Sequence, residues 1–477
     1  MMRKLFFSTL ALLAVMADAD AKVRLPHLIS DGMVIQQNSD VRLWGWAEPG
    51  RNVNVTVSWT DAVSKAKAGK DGRWETTVKS PESGFTPLSI TFDDGEPVTV
   101  SDVLAGEVWV CAGQSNMEMP LRGFGACPVE GYNETVAEAP NHPGIRFVKI
   151  PSVMSMTPLD DAQCEWKHGD DMNAVAECSA VGYYFARTVT SAVNVPVGLI
   201  MANKGGSRVE SWLDRDNLSR HTDESLDSMA MVKGFAWDFL RPLVWGNGTF
   251  HPILNYSVAG ILYYQGCSNV GDPGNRYSER LKMLVEQWRR DFRQGELPFL
   301  FVQISPYIYG GADGDGGARL REQQFRASRI IPNSGLVCTN DLAYPYELKQ
   351  IHPCRKRQVG ERLAYMALSR YYGCGGLICE SPSYASMRVS NDTCYVKLDN
   401  LYDGLSRLQD IEGFEVAGED RVFYPARAEY EWHQGVMVSS DRVKHPVAVR
   451  YCFRNFALGN AANLGGLPLF PFRTDEW

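Results

Sequence analysis

Hydrophobic and polar positions along the chain change rhythm twice. From Lys22 to about Val103 short alternating runs such as VRLWGWA, VNVTVSW and PLSITF are broken by Pro, Gly and Asp. Period-two alternation between turn residues predicts strands, so residues 22–103 are expected to form a small antiparallel β domain. From about Leu104 apolar runs alternate with longer helical patterns. Strands are predicted at residues 107–111 (EVWVC), 197–202 (VGLIMA), 260–264 (GILYY), 299–304 (FLFVQI) and 335–339 (GLVCT). The clearest helix runs from Tyr277 to Phe292, with Leu281, Leu284, Val285 and Trp288 on one face. Another, after His352, carries Val359, Leu363, Met366 and Ala367 on one side and ends near Tyr372. Strands alternating with helices predict an α/β fold with a parallel, doubly wound sheet over residues 104–372. From residue 373 to 477 the alternation of TCYVKLDNL, GVMVSS and VAVRYCF returns, and a second β-rich region is expected.

The first 21 residues stand apart. Arg3 and Lys4 precede an apolar run from Leu5 to Ala17, followed by overlapping small-x-small sites that place cleavage after Ala19 or Ala21. This is the pattern of a signal peptide, and the run is too short to span a bilayer comfortably. The mature chain is therefore expected to be exported, to the periplasm or the medium, with no membrane span.

At 477 residues the chain is long enough for two or three domains, and 44% hydrophobic with 22% charged residues is ordinary for a globular protein. A net charge of −8, with no Lys/Arg cluster interleaved with aromatics, argues against nucleic-acid binding. Eleven cysteines leave at least one thiol unpaired, and no CxxC pair suggests a zinc site. No metal or cofactor is implied.

Ligands of open α/β sheets bind beyond the carboxyl ends of the strands. The loops that follow the predicted strands include AGQSNMEMP, NKGGSRVESW, QGCSNV and NDLAYPYELKQIHP. Together they supply a hydroxyl, an imidazole, glycine amides and a side-chain amide, which are the parts of an acyl-transfer site. A serine alcohol needs an imidazole to take its proton, and the tetrahedral intermediate needs donors for its oxyanion. Ser115 is assigned as nucleophile, His352 as base, and Asn269 with the backbone amides of Ser115 and Gly206 as the oxyanion hole. Ser207 and Ser268 close two other G-x-S tripeptides, and a turn serine is the plain alternative for all three. His251, in a second His-Pro pair, precedes the third strand at the wrong end of the sheet and is expected to be structural. Asn269 as a turn cap, Gly205 and Gly206 as turn glycines, Cys267 as a small buried residue, and Trp212, Tyr263 and Tyr264 as core aromatics are the corresponding structural alternatives. No G-x-S-x-G elbow is present, against an α/β-hydrolase.

The blocks GQSNM, GGS, QGCSN and IHPCRKRQVGERLA resemble the sialate O-acetylesterase branch of the SGNH hydrolases, as do the opening LPHLISDGMVIQQ and the closing GLPLFPFRTDEW. The resemblance covers nearly the whole mature chain. It implies a flavodoxin-like SGNH sheet and hydrolysis of acetyl esters on a carbohydrate, a sialic acid or another glycan, through Ser, Gly, Asn and His of these blocks. An acetylxylan or other hemicellulose esterase is the alternative within enzymes; a carbohydrate-binding protein with a decayed esterase site is the alternative outside them. The sequence departs from the family pattern twice: Cys267 stands where relatives commonly have Glu, and Gln350 where they have Asp two residues before the histidine. A Ser-His dyad is therefore expected, the imidazole oriented by the backbone carbonyl of Gln350. Glu347 and Asp341 of the same loop are the candidates for a displaced acid.

Overall fold

A computed structural model describes residues 22–271, 276–406 and 408–477. The signal-peptide expectation lies on residues 1–21, outside the described residues. The architecture is mixed α/β, with a large mixed sheet and additional β-rich regions at both ends of the chain.

Six parallel strands form the heart of the large sheet. Their order across it is Ser334–Val337, Phe299–Val302, Gly260–Tyr264, Val98–Gly113, Val197–Asn203 and Ile145–Lys149, with Trp166–His168 antiparallel on the edge. The five strands expected from sequence are all present. Taken in chain order they lie 2-1-3-4-5, which puts the first strand between the second and the third. That position opens a crevice at the carboxyl end of the first strand, because the connections on its two sides leave in opposite directions.

Side chains of successive strand residues enter different cores. Val108, Val110 and Ala112 pack with Ile261, Phe299 and the helix Tyr277–Phe292 through Leu281, Leu284 and Trp288. Trp109 and Cys111 pack on the other face with the helices Ala180–Val193 and Lys356–Tyr371. Strands covered on both faces read as continuous apolar runs, which is why they were visible in the sequence.

Val98–Gly113 is a single strand of 16 residues. Its first half pairs antiparallel with Gly84–Asp93 in the N-terminal β region, and its second half joins the parallel sheet. The composition shift expected near residues 103 and 104 thus falls inside one strand. Alternating exposure over VTVSDV gives way to complete burial where the strand becomes central.

The C-terminal region is built from two four-stranded sheets facing each other across Val396, Val416, Val438, Val449 and Tyr451. It docks on the helix Gly316–Ile330: the Asn455 side chain accepts from Gly317 N at 2.7 Å and donates to Gly311 O at 2.8 Å. Arg473 pairs with Glu322 at 2.8 Å nearby. Asn455 is buried, so removing its amide leaves a helix N–H and a loop carbonyl without their partner. Asn455→Ala should cost about 1–2 kcal/mol in denaturant unfolding, the value of a lost cap with an orphaned donor; a change below about 0.5 kcal/mol would show that this junction is not held by the cap.

Candidate active site

The first strand ends at Gly113, where φ is +126° and a Cβ would stand 2.3 Å from Tyr264 O, so only glycine lets the two strand ends approach. Gln114 then bridges them: its N donates to Tyr264 O at 2.9 Å and its Oε1 accepts from Gly266 N at 2.7 Å. The chain turns at once into the short helix Ser115–Glu118, which presents Ser115 at the carboxyl end of the sheet.

Ser115 Oγ lies 2.8 Å from His352 Nε2, although the two residues are 237 positions apart. Two side chains hold the histidine segment against the serine turn, and a third closes the loop on itself. Asn116 Nδ2 donates to Ile351 O at 3.0 Å, and the ammonium of Lys356 donates to Asn116 Oδ1 at 2.7 Å and to Pro353 O at 2.6 Å. Glu347 accepts from Tyr344 N at 2.8 Å and from Cys354 N at 2.9 Å, closing the loop on its outer side.

The GGS loop comes to the same place. A Cβ on Gly205 would lie 3.5 Å from Ser115 Cβ, and Gly205 N donates to Glu118 Oε2 at 2.6 Å. Gly206, at φ +79°, packs its Cα against the ring of Phe239, 2.4 Å from where a Cβ would stand. Among the described residues no hydrogen bond occupies the N–H of Ser115 or of Gly206, so both remain available to a ligand beside Ser115 Oγ. Asn269 sits one layer below the GGS loop. Its Oδ1 accepts from Val209 N at 3.0 Å and Gln265 Nε2 at 2.8 Å, and its Nδ2 donates to Glu210 at 2.9 Å.

The imidazole is bounded by residues that sequence reasoning did not single out. Phe124 meets it edge-on at 5.5 Å between ring centroids, and the Cys127 thiol lies 4.0 Å from Nδ1. The three orienting groups expected from sequence are engaged elsewhere. Gln350 uses its side-chain Oε1 to accept from the backbone N of His352 at 3.1 Å, and no hydrogen bond joins its carbonyl to the ring among the described residues. Both oxygens of Asp341 pair with Arg362, at 2.8 and 2.6 Å, and those of Glu347 take the two backbone amides.

Burial, with the Lys356 charge second, pushes the His352 imidazole down to about 4, while burial takes Lys356 itself down to about 7. A neutral imidazole whose Nε2 faces a hydroxyl can accept that proton across the whole neutral range. Ser207 is buried and accepts from Trp212 Nε1 at 3.1 Å; His251 Nδ1 meets Leu159 O at 2.7 Å. Among the described residues Ser115 is the only serine bonded to a histidine. Trp212, Tyr263 and Tyr264 are fully buried and belong to the core, whereas Cys267 is only partly buried against it. The broad clefts around Cys164 and Lys167 and around Asp102 and His168, of about 670 and 790 Å³, contain neither Ser115 nor His352, and the chemistry locates the site instead. No group of metal-binding side chains occurs among the described residues.

Glu118, Asn116 and Lys356 all lie in the motif blocks, and Lys356 could have been noticed as a lysine four residues after the histidine on a helix face that reads as buried. Cys127 and Phe124 carry no such signal, since they reach the site from a separate loop.

Comparison with known proteins follows the same lines. Residues 105–369 match the family model of carbohydrate esterases described as sialic acid-specific acetylesterase. The chain is 26% identical to human sialate O-acetylesterase over 416 residues, 78% of this chain and 75% of that one. It is 24% identical to the mouse sialate O-acetylesterase over 462 residues, 83% of this chain and 82% of the other. Its fold is similar to the crystal structure of a carbohydrate acetylesterase from Xanthomonas citri, with a TM-score of 0.83 and 30% identity, covering 96% of this chain and 100% of that one.

The His352 environment makes a direct prediction. Its folded-state value lies below that of a free imidazole, so the proton should leave only as pH rises through about 4. An NMR titration of the histidine ring protons should show one midpoint near 4, displaced by Lys356→Met toward higher pH because a neighbouring positive charge is removed; a midpoint near the ordinary value of about 6.5 would contradict the buried setting.

Proposed function

The chain belongs to the sialic acid-specific acetylesterase family of carbohydrate esterases, and on that premise we propose that it is a serine-dependent sialate O-acetylesterase. The observation that carries the mechanism is the 2.8 Å contact between Ser115 Oγ and His352 Nε2, beside the glycine amides of the GGS loop.

The reaction proceeds in two halves. Ser115 Oγ attacks the acetyl carbonyl carbon as its proton moves to His352 Nε2. The new oxyanion is received by the N–H groups of Ser115 and Gly206, while Asn269, wholly buried with its amide donating to Glu210, supports the GGS loop by accepting from Val209 N. Collapse breaks the ester C–O bond; His352 protonates the leaving sugar oxygen, and Ser115 keeps the acetyl group. Water then attacks the acetyl-enzyme with His352 again as base, acetate departs, and the proton returns to Ser115. No cofactor takes part. We read the sheet order as the doubly wound, flavodoxin-like form, because it delivers the Ser, Gly, Asn and His loops to one end. Export of the chain, to the periplasm or the medium, also belongs to this reading and rests on residues 1–21.

A hemicellulose acetyl esterase is the second reading. It is favoured by the likeness over 96% of the chain to a structure described only as a carbohydrate acetylesterase. Acetate release from O-acetylated sialic acids, measured beside acetylated xylan, decides between the two; turnover confined to xylan overturns the sialate assignment. A binding protein with a decayed site is disfavoured by the intact serine-histidine contact.

Ser115→Ala should abolish turnover of 4-nitrophenyl acetate and labelling by a fluorophosphonate probe, with the fold retained by circular dichroism. Labelling that persists in this variant would move the nucleophile elsewhere.

The third partner of the imidazole is the subtler point. For Nε2 to accept from Ser115 the ring proton must be on Nδ1, where it points to the Cys127 thiol. Sulfur is a weak, uncharged acceptor, so it orients the ring without the charge that a carboxylate would bring to the imidazolium. Cys127→Ala and Gln350→Ala should each leave kcat within about tenfold, far from the ~10⁴ loss when a triad aspartate is neutralised. Glu347→Gln and Asp341→Asn should act through thermal stability and not through kcat. A large kcat loss at either carboxylate, with melting unchanged, would restore a triad.

A further inference from the structure

The loop that carries the oxyanion amides also carries an aromatic surface. Phe239 lies directly on Gly206, its ring 2.4 Å from the position a Cβ would take. Trp237 stacks on Phe239, with ring centroids 5.8 Å apart and an interplanar angle of 13°. The indole is 63% exposed, and Met229 and Val232 of the short helix Ser228–Gly234 add apolar surface in the same segment at 65% and 56% exposure.

This surface is held to the catalytic end of the sheet. Arg208, which follows the GGS tripeptide, donates from Nε to Leu240 O at 2.9 Å and pairs with Glu224 at 2.8 Å. Trp245 Nε1 donates to Phe239 O at 3.2 Å, and Lys204 stands 4.9 Å over the Trp245 ring. From Ser115 the path is continuous: Gly205 against Ser115, Gly206 against Phe239, Phe239 against Trp237. A scattered exposed side chain needs no explanation, but an exposed indole stacked on the residue that covers an oxyanion glycine is not placed at random.

Chemistry selects the occupant. An ester group within reach of Ser115 leaves the rest of its glycan to extend across the loop that bounds the site. A pyranose ring has one face of C–H hydrogens, which packs on an aromatic plane while its hydroxyls stay in water; tryptophan offers the widest such plane at small entropic cost. A peptide or a lipid chain would call for a closed groove, whereas this indole is a flat, open platform.

We propose that Trp237, backed by Phe239, is a sugar-stacking subsite that holds a pyranose ring of the substrate neighbouring the acetylated one. The inference rests on the carbohydrate esterase reading and extends it to substrates of more than one sugar. Binding there acts equally on ground state and transition state, so its loss should appear in KM and not in kcat.

The test compares Trp237→Ala with Trp237→Phe and the wild type on three substrates: 4-nitrophenyl acetate, O-acetylated sialyllactose and acetylated xylo-oligosaccharides. For the glycan that the wild type deacetylates, Trp237→Ala should raise KM about tenfold and lower the glycan to 4-nitrophenyl acetate ratio of kcat/KM by the same factor. Trp237→Phe should recover most of that loss. A ratio changed by less than twofold overturns the subsite while leaving the esterase reading intact; so does an equal loss on all substrates, which marks Trp237 as structural. Turnover of 4-nitrophenyl acetate with neither glycan hydrolysed by the wild type overturns the carbohydrate reading and the subsite with it.

Discussion

The buried ammonium of Lys356 is the constraint on which the site depends. It joins two chain segments that nothing local would bring together, because one donor reaches Asn116 on the serine turn and another reaches Pro353 beside the histidine. Burying a charge costs several kcal/mol unless hydrogen bonds replace its water. Two oxygens at 2.7 and 2.6 Å do so in part, and the fall to about 7 records the part they do not recover. A hydrocarbon of the same length would be cheaper to bury, yet it could not draw a side-chain amide and a backbone carbonyl to one point. Fixing the imidazole within hydrogen-bond reach of the hydroxyl is what that cost secures.

The same ammonium shapes the electrostatics. A positive charge near His352 disfavours the imidazolium, and burial acts in the same direction. The resting base is therefore neutral and ready, but the imidazolium that forms during acyl transfer is less comfortable than one backed by a carboxylate. A thiol at Nδ1 in place of an acid is consistent with that balance. In the proposed mechanism it faces the Nδ1 proton, and most of the transition-state stabilisation falls to the oxyanion donors, which in acyl transfer usually contribute more than any other group.

How much of this could be read from the chain depended on the range of the interactions. The central strands were legible because burial on both faces demands unbroken apolar runs, and Tyr277–Phe292 because one face alone is buried. Strand Val98–Gly113 was divided because its two halves meet different environments. Ile145–Lys149 and Trp166–His168 were missed: they are short and lie toward the sheet edge. The helix Ala180–Val193 was not singled out; its first two turns, Ala180 to Ala186, are buried at every position. In the candidate site, the pairing of Ser115 with His352, 2.8 Å apart, was legible because strand-end loops limit where chemistry can sit. Their partners were not, since contacts such as Gly205 to Glu118 across 87 positions, or His352 to Cys127 across 225, leave no trace in local pattern. For the same reason the orienting role was sought in Gln350, Glu347 and Asp341, neighbours in sequence, whereas the loop spends those side chains on holding itself and Arg362 in place.

A single loop thus meets two demands that are usually separated. In the proposed mechanism the amide of Gly206 must be free and rigid to receive charge, and its positive φ and the ring of Phe239 packed on it suit that role. Phe239 supplies that packing, and an aromatic ring large enough to brace a glycine backbone exposes its far edge to solvent unless something covers it. Trp237 covers it and is itself left open. The brace for the oxyanion loop and the proposed surface for a neighbouring sugar are then adjacent parts of one segment, with Phe239 on the Gly206 backbone and Trp237 on the solvent side. Substrate preference in such a site cannot drift freely: substitutions at Trp237 are tolerated by the chemistry, while those at Phe239 reach the Gly206 backbone directly and must preserve its position.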